Sequence, residues 1–299
     1  MIVININNLS FEIEGRQILK DIHLKIGEGK IMGIIGPNGV GKTTLLRCMT
    51  GIYNSTSGYV KYDEEIVYDN PNVKKKIGYV ADENILQTNF KVCEILKYYK
   101  YAYADFNENK FNELNKIFKI PTKKYIFQLS KGMKMRLSIM LAFSIKAKYL
   151  ILDEPTSGLD AILKNKLLKI FADEVFENNT TIVISSHHLS ELERICDDVA
   201  ILNDGRISYE NSIDNMKNKI KKVQVAFDGP VYEEDLNLKG IFKLSKIGRV
   251  YTIITDEYDD EFINGLKSLN PLFIEEIDLS LEDIFIYKVD KEENNEKVF

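Results

Sequence analysis

The chain has little cysteine. Cys48, Cys93 and Cys196 stand alone, without the paired spacing of a metal site or a disulfide framework, so they read as reduced, small hydrophobes. Long apolar runs are missing. None approaches the roughly 18 residues needed to cross a bilayer, which excludes a helical membrane span. There is no cationic excess either. The formal net charge is −5, so no global basic field draws nucleic acid or anionic lipid. The opening "MIVININNLSF" lacks a basic leader, an apolar centre and a small-residue cleavage site, which predicts a cytoplasmic protein. What remains is ordinary: 44% hydrophobic and 28% charged residues, the balance of a globular protein.

What is present is concentrated in a few short stretches. "GKIMGIIGPNGVGKTTLLRCMTG" reads as strand, glycine loop and helix, with Gly51 as the stop. Gly36, Pro37, Asn38, Gly39, Val40, Gly41, Lys42 and Thr43 fit the phosphate-loop pattern G-x-x-x-x-G-K-[ST], and Thr44 follows. The glycines permit a tight loop whose backbone N–H groups point at phosphate oxygens. Lys42 supplies a point charge to the β- and γ-phosphates, and the Thr43 hydroxyl is a hard oxygen ligand for Mg²⁺. An ordinary glycine turn would not need this string between a strand and a helix.

"YLILDEP" ends an apolar strand on two acids. Asp153 is the expected Mg²⁺ ligand. Strand side chains alternate, so Glu154 takes another part, as base or polariser of the attacking water. "TTIVISSHH" is a neighbouring strand ending on histidines. His187 is placed to reach a γ-phosphate, and His188 to face away or start the next helix. "LSKGM" heads a helix-like run, with Ser130 as N-cap and Gly132 leaving the backbone bare. Gly132 inside a helix costs about 1 kcal/mol relative to Ala, which argues for use. Elsewhere "QILKDIHLKI" alternates, putting Ile22, Leu24 and Ile26 on one face and His23 on the surface. Asp204-Gly205 marks a hairpin. The run from Val92 to Phe118 reads as helix, and its Tyr98, Tyr99, Tyr101 and Tyr103 suit a partner interface or a core stripe equally.

In this order the motifs resemble the nucleotide-binding subunit of ABC transporters. "GPNGVGKT" looks like Walker A, "YLILDE" like Walker B with its catalytic glutamate, "SGLD" (ending on Asp160) like the D-loop, and "LSKGM" like the signature, usually LSGGQ. The resemblance implies a P-loop NTPase α/β core with an antiparallel β subdomain and a helical subdomain near 84–147, the cassette covering 1–215. A small α+β domain is expected over 216–290, where "VQVAF", "GIFKLSK", "RVYTIIT" and "PLFIEEI" alternate, followed by a charged tail at 291–299. "SLEDIFIY" is similar to the end of the accessory domain in ATPases of bacterial ABC-2-type exporters.

The resemblance implies ATP and Mg²⁺ as cofactors. It implies a second nucleotide-binding subunit packed head to tail, with Ser130 and the Gly132 N–H meeting the γ-phosphate of the partner's ATP. Asp160 of the D-loop is also expected among the nucleotide-binding residues, and Lys131 either adds a charge toward phosphate or leans into solvent. Integral-membrane permease subunits are the other implied partners, with the cassette peripheral on the cytoplasmic face and transport outward. No nucleic-acid partner is expected. The alternative, a soluble ABC ATPase working on nucleic acid or ribosomes, usually carries tandem cassettes or a coiled coil, and neither is present. A P-loop kinase or GTPase leaves "LSKGM" and "SGLD" unexplained. Three positions depart from the family pattern. Lys131 replaces a signature glycine. Asp82 takes the place of the Q-loop glutamine, where it would still ligate Mg²⁺. Ile13 stands where an aromatic stacks on adenine, with Phe11 nearby.

Overall fold

The computed structural model describes residues 1–83, 86–228, 236 and 239–285. The chain forms two compact units, Met1–Glu210 and Asn211 onward. The tail at 291–299 and the last residues of "SLEDIFIY" lie outside the described residues.

Three all-apolar or nearly apolar strands form the centre of the first unit: β3 (Ile31–Ile35), β7 (Tyr149–Asp153) and β8 (Thr181–Ser185), each buried along its whole length. Strands covered on both faces read as continuous apolar runs because helices lie on each side of a parallel sheet. They sit in a six-stranded sheet of order β10-β9-β3-β8-β7-β6, completed by β6 (Ile77–Val80), β9 (Asp198–Asn203) and β10 (Arg206–Ser212). β3, β6, β7, β8 and β9 run parallel, with Asp153 opposite Ser185 and Ile34 also opposite Ser185. That register brings the carboxyl ends of β3, β7 and β8 together, the edge at which open α/β sheets bind ligands. The Asp204-Gly205 hairpin is present, both residues having positive φ (42° and 74°), as a two-residue primed turn requires.

A second, four-stranded sheet has the order β2-β1-β4-β5, from β1 (Ile2–Ile13), β2 (Arg16–Gly27), β4 (Ser57–Tyr62) and β5 (Glu65–Ile66). Its alternation is as the sequence predicts: Ile22, Leu24 and Ile26 are buried while His23 is exposed beside Asp21. The inner face covers α1 (Lys42–Met49), and α2 (Pro71–Lys74) closes its end. Tyr62 joins sheet to helix. It is fully buried, donates its hydroxyl to the Met49 carbonyl at 3.0 Å and packs on Tyr149 with ring centroids 4.7 Å apart.

The run from Val92 to Phe118 is two helices, α3 (Val92–Ala102) and α4 (Glu108–Phe118). Tyr103–Asn107 breaks them, and Asn107 caps α4 by accepting the Lys110 N–H at 3.1 Å. The tyrosines divide accordingly. Tyr99 and Tyr103 stack at 5.6 Å, whereas Tyr98 and Tyr101 are exposed. α5 (Lys131–Ser144) packs on α4, α6 (Ala161–Asn178) follows β7, and α7 (Leu189–Leu192) follows β8. Phe143 of α5 stacks on Phe171 of α6 at 5.5 Å.

The second unit opens with α8 (Ile213–Lys219), a helix in the lysine-rich stretch where the sequence shows only a change of pattern. Its sheet has the order β12-β13-β11-β14: β11 (Lys221–Phe227), β12 (Ile241–Ile247), β13 (Val250–Thr255) and β14 (Pro271–Ile277). α9 (Asp260–Ser268) covers one face, burying Phe262 and Leu266 against Val223, Val225 and Tyr251. Among the described residues no helix is long and apolar enough to cross a membrane.

The Tyr62 contact generates the first prediction. Tyr62→Phe strands a buried carbonyl and should cost about 1 kcal/mol, and Tyr62→Ala about 3–5 kcal/mol. Urea unfolding measures both; equal losses for the two variants would contradict the assigned role of the hydroxyl.

Candidate nucleotide site

The glycine loop leaves β3 and enters α1 with its backbone turned into the left-handed region at Gly39 (φ 81°) and Gly41 (φ 111°), conformations that glycine adopts without steric cost. Gly36 is forced by space instead. A Cβ there would lie 2.4 Å from the Leu202 carbonyl oxygen of β9. Gly41 takes the N-cap position of α1 without a capping side chain, so the helix N-terminus is left bare for an anion.

Lys42 is the first residue of α1 and is buried. Its ammonium donates to the carbonyls of Gly36 at 2.8 Å and Pro37 at 3.2 Å. Burial holds its pKa below the ordinary lysine value, partly offset by the nearby Glu154 and Asp153 carboxylates. Glu154 Oε1 is 3.9 Å from Lys42 Nζ, and Glu154 Oε2 is 2.8 Å from His187 Nδ1. Glu154 therefore bridges the loop lysine and the histidine beyond β8.

The two acids share one cleft, contrary to what strict alternation predicts. β7 ends at Asp153, and Glu154 turns out of the strand with φ 48°. Its N–H donates to the Ser185 carbonyl at 3.1 Å. That left-handed residue brings its carboxylate to the same side as its neighbour's. Asp153 is 1% exposed and accepts the Ser185 hydroxyl at 2.6 Å on Oδ1. Its Oδ2 is buried with no hydrogen-bond partner. A buried, orphaned carboxylate oxygen is expensive unless a cation meets it, so the donor set fits a hard divalent ion. Ser185 is the residue that the sequence reading missed. The signal was its place at the end of the strand beside β7, where a hydroxyl reaches the acid.

A cleft of about 320 Å³ collects these groups: Asn38, Gly39, Gly41, Lys42, Thr43, Thr44, Asp82, Asp153 and Glu154, with Ile13 and Ile18 as an apolar wall. A second hollow of about 290 Å³ lies along Pro37, Asn38, Gly39 and Val40 on the side of Arg16 and Asp204. Ile13 is 43% exposed, but Phe11 is 9% exposed and stacks on Tyr53 at 5.0 Å. A register shift in β1 between Phe11 and Glu12 separates their parities. Phe11 is thus core, and the cleft presents an aliphatic wall to a base.

Other predicted residues lie elsewhere. Ser130, Lys131, Gly132 and Asp160 do not line this cleft. Ser130 caps α5 by accepting the Met133 N–H at 3.3 Å, and Asp160 caps α6 by accepting the Leu163 N–H at 2.9 Å. Gly132 has a packing reason that the sequence did not suggest: a Cβ there would lie 2.9 Å from the Gly158 carbonyl oxygen. The signature loop and the "SGLD" loop are therefore in backbone contact. Arg136 steadies the same turn, donating to the carbonyls of Gly132 at 3.1 Å and Phe118 at 2.9 Å. Lys131 bonds Asp82 at 3.1 Å. His188 precedes α7 and its N–H donates to Ser186 Oγ at 3.0 Å.

Comparison with known proteins supplies the family. The ABC transporter family model matches residues 19–157. The ABC transporter ATP-binding protein YtrB of Bacillus subtilis (strain 168) is 34% identical over 290 residues, 96% of this chain and 98% of that protein. The bacitracin transport ATP-binding protein BcrA of Bacillus licheniformis is 30% identical over 74% of this chain and 73% of that protein. The solved dimeric ATP-binding cassette MJ0796, in a post-hydrolysis state with ADP and Pi, shares the fold with a TM-score of 0.64 at 22% identity, over 70% of this chain and 98% of that one. With a relative matched end to end, and with the family model spanning both the glycine loop and the acid strand, the chain belongs to the ATP-binding subunits of ABC transporters and is an ATPase.

Proposed function

We propose that this chain pairs head to tail with a second nucleotide-binding subunit around two Mg-ATP and drives membrane permease subunits, in the direction of export. The observation that carries the reading is a division of anion-binding groups. Lys42 and the bare N-terminus of α1 lie in the cleft, while the Ser130-capped N-terminus of α5 lies outside it. Two anion sites on one chain are explained if the second serves the partner's nucleotide. The cassette MJ0796, dimeric with ADP and Pi, supports the pairing. BcrA, a bacitracin transport ATP-binding protein, supports the transport role, and the C-terminal stretch similar to ABC-2-type exporter ATPases supports the direction.

In this reading Lys42 exchanges its carbonyl contacts for β- and γ-phosphate oxygens. Glu154 takes the proton of the attacking water, and His187, hydrogen-bonded to it, aligns it and meets the γ-phosphate. Thr43, Asp153 and Asp82 would hold Mg²⁺, which supplies charge neutralisation of the phosphates. Ser185 orients Asp153 from behind. Ser130, Gly132 and Asp160 close over the partner's triphosphate. Rigid-body closure passes through the segment after Asp82 and the helices from Val92 to permease chains that carry the membrane spans. The cassette would then sit on the cytoplasmic face.

Two outcomes are expected. Glu154→Gln should lower ATP turnover by about 10²–10⁴-fold while ATP binding persists, and an ATP-bound dimer should accumulate on size exclusion. A variant that stays monomeric at saturating ATP contradicts the pairing. Ser185→Ala should raise the Mg²⁺ concentration for half-maximal turnover by about 10–100-fold, the usual penalty for removing a group that orients a metal ligand. An unchanged Mg²⁺ requirement would remove Asp153 from the metal's ligands.

A further inference from the structure

Two departures from the family pattern meet in space. Asp82, two residues beyond β6, lines the nucleotide cleft with Lys42, Thr43 and Asp153. Lys131, 49 residues later and the first residue of α5, places its ammonium 3.1 Å from Asp82 Oδ1. A lysine at a helix N-terminus opposes the helix dipole, and the first turn of α5 holds no acidic residue to relieve it. The carboxylate comes from the cleft instead. We propose that Asp82 is a stand-in anion for the N-terminus of α5, a latch that ties a subunit's own signature turn to its own nucleotide cleft and is exchanged when triphosphate arrives.

The inference rests on the head-to-tail reading above. In the free subunit Asp82 neutralises Lys131 and holds the turn of Ser130–Gly132 beside the cleft. When a partner presents ATP, its γ-phosphate carries more charge than one carboxylate and offers more acceptor oxygens, so Lys131 transfers to it. Asp82 is released at the same moment into its own cleft, next to Asp153 and Thr43. Signature engagement at one site is thereby coupled to ligand supply at the other. Both side chains are exposed, so the pair biases an equilibrium by only about two- to fivefold. That weakness lets it exchange rather than lock. Asp82 acts here as a positioning residue, through Lys131.

A double-mutant cycle in the full chain tests it, with Glu154→Gln as the background so that ATP is held. The readout is the ATP concentration giving half-maximal dimer by light scattering, for the background protein, Asp82→Asn, Lys131→Met and both together. Removing the latch eases dimerisation only where Lys131 is present. Asp82→Asn should therefore lower the required ATP, relative to its effect in the Lys131→Met background, by about two- to fivefold. The difference should shrink near 1 M salt, where the screening length is about 3 Å. Equal effects in both backgrounds, or a coupling of opposite sign, overturn the latch and leave the paired-subunit reading standing. Failure of the Glu154→Gln protein to dimerise at any ATP concentration overturns both.

Discussion

The cassette is organised around one buried cation. Lys42 sits at the start of α1 with its ammonium against two loop carbonyls, and burial pulls its pKa down while Glu154 and Asp153 pull it back. A lysine in such a place is stable as a cation only while carboxylates or phosphates face it. Its partners must arrive from three strands at once. β3 delivers the loop, β7 the acids and β8 the serine and histidine, and a parallel register aligns their carboxyl ends. The apolar strand sequences are buried because that alignment needs helices on both faces. The antiparallel sheet then fastens α1 from outside through Tyr62. Local sequence, packing and site geometry thus answer to the same constraint.

Much of this was legible beforehand because the relevant signals are local. A phosphate loop between a strand and a helix, an apolar strand ending on Asp-Glu, and a capped helix start are each written in fewer than ten consecutive residues. The antiparallel alternation around Ile22 and Leu24 and the Asp204-Gly205 turn are local as well. The strands of the C-terminal unit followed from the same period-two pattern. α8 did not: seven residues carrying two lysines and two asparagines show too short an apolar stripe to announce a helix.

What stayed hidden depends on backbone exceptions or on contacts distant in sequence. Alternation assigns Asp153 and Glu154 to opposite faces, and one residue with φ 48° cancels that rule. A register shift in β1 sends Phe11 to the core against Tyr53 and leaves Ile13 at the cleft. Gly132 looked like a concession to a ligand, and the Gly158 carbonyl beneath it is a second claimant. Lys131 and Asp82 read as unrelated oddities until the fold put them 3.1 Å apart. Ser185 carries no signal of its own in the sequence, because its partner Asp153, whose Oδ2 is unpartnered, is reached only through strand pairing.

The cleft holds a lysine, carboxylates and a bare helix end, while Ser130 and Gly132 at the start of α5 do not line it, so in the proposed pairing each subunit alone has an incomplete site. Turnover per molecule as a function of protein concentration, at saturating Mg-ATP, tests this most directly. A shared site predicts specific activity that falls on dilution and recovers on concentration, with a second-order dependence at the dilute end. Specific activity that stays constant through dilution to the monomer, verified by mass photometry, would contradict it.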